Sequence, residues 1–175
     1  AAARPPRTLL HRLTFQPMRL DSATVPDGDP NVLDGKAVPV SVSTPRIGPP
    51  LKGEWLVANG PSNQSGHRRT QVALKGMVTI PQRMAIDFLQ VDAQGNTFRG
   101  DRSKNSNFIA WGKEALAVAD GLVIETKDSI PENTGGPTSR AVPITLETIG
   151  GNHVVIEIGP NQYAFYAHLQ PGTLR

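Results

Sequence analysis

Residues 151–172 read GNHVVIEIGPNQYAFYAHLQPG, and this stretch decides the fold. Residues 153–158 and 163–169 are two short runs of valine, isoleucine, leucine and aromatic residues, separated by Gly159-Pro160-Asn161. Such side chains fit a pleated, half-buried surface, and Gly-Pro-Asn is turn chemistry. The stretch predicts two neighbouring strands. His168 stands inside the second strand, in an apolar run that otherwise favours burial. An imidazole takes or holds a proton near neutral pH, so His168 is a candidate for chemistry as well as packing.

Working outward, the same grammar recurs. Residues 141–149 predict a third strand close before this pair. Residues 115–126 (ALAVADGLVIET) place Asp120-Gly121 between two apolar runs, which predicts a β-hairpin. Residues 77–80 and 84–91 read as strands around Pro81-Gln82-Arg83, and residues 54–58 as a shorter one. Residues 36–44 alternate, with Val38, Val40 and Val42 on one face, and Pro39 is tolerable at a sheet edge. Residues 9–20, interrupted by Pro17, read as an edge strand. The polar stretches 21–31, 59–66, 92–107 and 128–140 predict loops. No stretch combines helical periodicity with caps. Short strands at near-regular spacing imply an all-β, antiparallel fold, either sandwich or barrel. Residues 1–50 form an amino-terminal β-region and residues 51–175 the main β-domain.

Composition narrows the function classes. The chain has 175 residues, with 17 glycines and 16 prolines cutting it into short segments. Its net charge of +3 and pI near 9.5 come from scattered basic residues, Arg68-Arg69 being the one conspicuous pair. That pattern gives no nucleic-acid footprint, while a basic chain suits an anionic surface such as a cell wall. The absence of cysteine excludes a disulfide scaffold and a thiolate metal site. No apolar run approaches the length of a membrane-spanning helix, and Ala1-Ala2-Ala3 lacks the charged and apolar regions of a signal peptide.

Several motifs resemble one family. Trp111-Gly112-Lys113 with ALAVADGLVIE, then Gly151-Asn152-His153-Val154-Val155-Ile156 with YAFYAHLQPG, are similar to motifs of lysostaphin-type zinc metallopeptidases, the duplicated-hybrid-motif peptidoglycan endopeptidases. Residues 49–53, 59–63 and 66–69 resemble an outlying group of that family with an added amino-terminal β-region. The resemblance spans about residues 49–175. It implies an antiparallel β-sheet groove with zinc held by the histidine and aspartate of H-x-x-x-D and by the second histidine of a later H-x-H. The Y-x-H-L histidine and the first H-x-H histidine flank the zinc-bound water. By motif, Asp87 takes the aspartate position and His168 the Y-x-H position. The sequence departs from the pattern twice: Arg83 stands where the first histidine belongs, and an H-x-H would fall beyond Arg175. A guanidinium cannot ligate zinc.

The resemblance therefore implies metal ligands at Asp87 and at His67, if the loop 59–66 folds back and brings His67 into the role that Arg83 cannot fill. Read as a residue alone, Asp87 is open between a metal ligand and an ion pair with Arg83, since a buried carboxylate needs one or the other. His67 alone is a solvated loop residue. His153 reads as structural or surface, His11 as uninvolved, and Glu125, Glu147 and Glu157 as solvent-face residues. The leading expectation is the amino-terminal portion of a bacterial zinc endopeptidase, periplasmic or secreted, that cleaves peptide cross-links of cell-wall peptidoglycan. Zinc should be weakly held or absent here, because two ligands seldom retain it. The strand 163–169 should need a covering partner, either a carboxyl-terminal fragment or a second copy. The rival expectation is a catalytically degenerate β-module that binds peptidoglycan or a protein partner.

Overall fold

The computed structural model describes residues 6–14, 32–40, 44–74, 76–135 and 139–175. The chain divides into two compact units, Ala1–Thr44 and Pro45–Arg175. Among the described residues every strand pair is antiparallel. Among the described residues helix is confined to one α turn and one 3-10 turn. This is the all-β antiparallel class that the strand spacing predicts.

In the first unit, β1 (Thr8–Leu9) pairs with β4 (Val38–Pro39), and β2 (Arg12–Thr14) with β3 (Val32–Asp34). Arg12 and Asp34 are partners in register and form a two-pronged ion pair at 2.6 and 2.8 Å. The hydrogen bond between them raises the Arg12 pKa and lowers that of Asp34. Of the strand expected over 36–44, Val38–Pro39 forms within the described residues. Pro17, Val42 and the loop expected over 21–31 lie outside the described residues.

The second unit holds β5 (Leu56–Asn59), α1 (Gly66–Arg69), β6 (Val72–Leu74), β7 (Met77–Thr79) and β8 (Asp87–Leu89). It continues with a 3-10 turn (Asn105–Asn107), β9 (Leu122–Lys127), β10 (Asn152–Gly159) and β11 (Gln162–Leu169). β5 pairs with β8 and β6 with β7, while the largest sheet has the order β11-β10-β9. β10 and β11 are the strands read from residues 151–172. Pro160-Asn161 forms the turn between them, with Asn161 at φ 56°, a conformation asparagine tolerates better than most residues.

Three expected elements differ. No hairpin forms at Asp120-Gly121: residues 115–120 are irregular, and β9 pairs instead with β10, Leu122 opposite Glu157. The glycine is used for contact rather than for a turn, because a β-carbon there would lie 2.3 Å from the Glu157 carbonyl oxygen. Residues 141–149 form no strand. Thr145 and Thr148 turn the chain on itself, Thr148 Oγ1 donating to the Pro143 carbonyl at 2.6 Å and accepting from Thr145 N at 2.8 Å. Such local bonds compete with a sheet ladder. The strand expected over 84–91 starts only at Asp87, since Arg83 N and Ala85 N bond back to Ile80 and Gln82 and hold a turn.

Among the described residues Ile156 is the buried hydrophobic side chain, whereas Ser65, His67, Asn152 and His153 are buried polar ones. Burial is thus concentrated around two histidines. Each must be satisfied by hydrogen bonds.

Candidate metal centre and the groove beside His168

The first histidine cluster is built by α1 and the β5–β8 pair. Ser65 caps α1, its Oγ accepting from His67 N at 3.2 Å, and the single turn carries His67 inward. Asn59 and Asp87 are partners across β5 and β8, beyond a bulge that follows Val57. Asn59 Nδ2 donates to Asp87 Oδ2 at 2.7 Å. His67 Nε2 lies 3.3 Å from that same oxygen, with 11% of its side chain exposed against 47% for Asp87. His67 is therefore buried rather than a solvated loop residue. Asp87 takes His67 and Asn59 as partners, not Arg83, which is exposed.

His67, like His153, has an acceptor at each ring nitrogen. His67 Nδ1 faces the Ala85 carbonyl oxygen at 3.3 Å. With its proton on Nδ1, donated to this carbonyl, the neutral ring presents a lone pair at Nε2; with its proton on Nε2 it donates to Asp87 instead. The group facing Nε2 is a carboxylate, which only accepts. In the first tautomer two acceptors therefore meet, and they stay together when a second proton makes the ring an imidazolium or when a cation lies between them. Metal-ligating histidines commonly donate their other N–H to a carbonyl in this way. Two donors each about 2.0–2.2 Å from a tetrahedral zinc stand about 3.4 Å apart, which the observed 3.3 Å matches. Imidazole nitrogen and carboxylate oxygen are both zinc donors. The pair fits zinc in chemistry and spacing, but among the described residues no third His, Cys, Asp or Glu joins it.

His168 sits elsewhere in the unit. It lines an open groove of about 1320 Å³, together with Val154, Ile156 and Tyr166 on the sheet and Trp111 and Leu116 on the irregular segment before β9. His67 and Asp87 do not line this groove. No hydrogen bond or ion pair links His168 to either of them. His168 is exposed, at φ 59°, and so is not the buried strand residue that the apolar run suggests. Tyr166 Oη accepts from Val118 N at 2.8 Å and ties the irregular segment to the sheet.

The second cluster centres on His153, whose Nδ1 faces the Gly151 carbonyl at 2.8 Å and whose Nε2 faces Glu125 at 3.1 Å. Phe165 meets its ring edge-on at 5.2 Å. Glu125 is thus engaged with His153 rather than simply solvated. Asn152 beside it bonds both backbone groups of Ile130, donating to its carbonyl and accepting from its N–H at 2.9 Å each. Sequence reasoning missed Asn59, Ala85 and this asparagine clamp. The Asn59–Asp87 pairing had no sequence signal, while Gly-Gly-Asn at 150–152 was visible but had no assigned task.

No protein-family model, curated protein or solved structure matches the chain.

Proposed function

We propose that the chain is a zinc metalloendopeptidase-like protein that acts on peptide cross-links of bacterial cell-wall peptidoglycan. The observation that carries this reading is the His67–Asp87 pair, whose nitrogen and oxygen 3.3 Å apart are spaced as two donors to one zinc would be. Zinc held there would polarise a peptide carbonyl and make bound water nucleophilic near neutral pH. His67 and Asp87 would hold it, with the Ala85 carbonyl fixing the imidazole tautomer and Asn59 orienting the carboxylate. His168, exposed in the separate groove, would contact a peptide seated there rather than the bond polarised at the zinc. The groove would seat an extended peptide, and the basic chain would favour an anionic wall.

A catalytic zinc needs three protein ligands, and the pair supplies two. That inventory favours a second reading, a β-module that binds peptidoglycan in its groove without cleaving it. One experiment separates them. The chain is incubated with purified peptidoglycan with and without added zinc, and both sedimentation and newly released amino groups are measured. Zinc-dependent release that is lost in Asp87→Ala supports the peptidase. Sedimentation with no release, indifferent to chelator, supports the binding module. Neither binding nor release would reject both.

A further inference from the structure

A regular strand sends successive side chains to opposite faces, yet His168 and Leu169 both line the groove. The register explains why. Asn152 pairs with Leu169 and Val154 with Tyr166, so the single residue His153 faces two, Ala167 and His168. β11 therefore carries a bulge, and its second residue is His168 at φ 59°. Bulges bend a strand and re-aim the side chains they carry. A non-glycine residue in the left-handed region costs on the order of 1–3 kcal/mol unless its surroundings enforce it.

The enforcing contacts come from Gly150 and Gly151. His168 N donates to the Gly150 carbonyl at 2.9 Å. Gly151, at φ 58°, lies so close to the bulge that a β-carbon there would stand 3.3 Å from His168 Nδ1 and 3.5 Å from its Cα. A β-carbon on Gly150 would meet Phe165 at 3.0 Å and His153 Nδ1 at 3.4 Å. Asn152 then anchors the glycine pair to Ile130 through both of its amide atoms. Each link is local, and together they leave His168 one backbone course.

We propose that Gly150-Gly151 is a positioning element whose task is to hold the His168 bulge and aim its imidazole into the groove, with Gly151 the positioning residue. This rests on the reading of the groove as the seat of an extended peptide that His168 contacts. Gly151 acts through His168 and needs no contact with substrate. Its missing side chain does two things: it permits the positive φ, and it leaves room for the histidine ring.

The test compares Gly151→Ala with Gly95→Ala in the full chain. Gly95 also has a positive φ, of 82°, but a β-carbon there would meet nothing within 4 Å, so it shares the backbone cost without the contact. Isotope-edited NMR reads nuclear Overhauser contacts between the His168 ring and the backbone at 151. Those contacts should change in intensity in Gly151→Ala and stay as they are in Gly95→Ala. Unchanged intensities in Gly151→Ala overturn the proposal. Gly151→Ala should weaken binding of a peptidoglycan-derived peptide at least fivefold, and undiminished binding with a displaced ring also overturns the proposal. If the parent chain binds no such peptide, the reading of the groove as a peptide seat fails while the NMR result still decides the positioning. Should Gly151→Ala not fold, His168→Asn and His168→Val read the same bulge, because asparagine tolerates a positive φ and valine does not. The valine variant should melt several degrees below the asparagine variant, and equal melting temperatures overturn the proposal.

Discussion

Gly121 and the Glu157 carbonyl oxygen approach so closely that a β-carbon on Gly121 would lie 2.3 Å from that oxygen and 2.7 Å from Ile156 Cγ2. Both atoms belong to β10, and Ile156 is the buried hydrophobic residue of the described chain. The contact thus sets how β9 docks on the strand that carries the groove.

Gly121→Ala should destabilise the second unit, since the obstructing atom is backbone and cannot swing aside. Overpacking of this kind costs about 1–3 kcal/mol. Gly66→Ala is the contrast, because a β-carbon there meets nothing within 4 Å and its φ is not positive. It should be neutral or stabilise by about 0.4–1 kcal/mol through the unfolded chain. Chemical denaturation of both variants checks the pair, and equal midpoints would mean the close approach is not maintained in solution.

Asn152 is 3% exposed and makes both of its amide bonds to Ile130. Asn152→Leu fills the space but leaves the Ile130 N–H and carbonyl without these partners. Leaving a buried backbone group unsatisfied costs about 1–3 kcal/mol. The variant should be destabilised by at least that much, with faster amide exchange at Ile130. Unchanged exchange at Ile130 would show that water replaces the clamp.

The hairpin partners β10 and β11 were legible because branched and aromatic runs flank a Gly-Pro-Asn turn. Asp120-Gly121 was misleading for a physical reason. The same absent side chain that suits a tight turn also suits close backbone packing, and only the position of Glu157 tells them apart. Residues 141–149 misled because Thr145 and Thr148 bond locally, which composition does not reveal. At the candidate site, Asp87 and His67 were both readable as zinc-type donors. Their meeting was not, because it depends on a bulge in β5 and one turn of helix that no short periodicity announces. The separate placement of His168 was equally hidden.

Asp92 offers a pH test with a defined sign. Its carboxylate accepts from Asn96 N at 2.9 Å, Asn96 Nδ2 at 3.3 Å and Gln94 N at 3.0 Å. The Asn96 backbone bond leads in lowering its pKa below 3.8, helped by the Asn96 side chain, Gln94 and the Arg99 charge and opposed by desolvation. A depressed carboxylate contributes stability that is fully present above its ordinary pKa and lost as pH falls through the folded value. The turn at 92–96 should therefore be indifferent to pH from neutrality down to about 4 and loosen below that. Amide shifts of Gln94 and Asn96 should titrate with a midpoint below the ordinary aspartate value and stop titrating in Asp92→Asn. A midpoint at or above the ordinary value would contradict these bonds.

The proposed zinc seat makes the most consequential prediction. With two donors within reach, the 175-residue chain should retain less than one zinc after dialysis against a mild chelator, because structural and catalytic sites alike use at least three protein ligands. The zinc that does bind should disappear in His67→Ala and in Asp87→Ala. Asn59→Ala removes the bond that orients the carboxylate and should weaken binding about 10-fold or more. Arg83→Ala should leave affinity unchanged, since Asp87 is partnered by His67 and Asn59 instead. Competition with a chromogenic chelator measures all four variants on one scale. If Arg83→Ala changed affinity as much as His67→Ala does, Asp87 would have Arg83 rather than His67 as its working partner. If the parent chain held one zinc tightly and Asp87→Ala released it, a third ligand would have to come from within these residues. The paired acceptors at 3.3 Å would then be one edge of a complete coordination shell, not of a partial one.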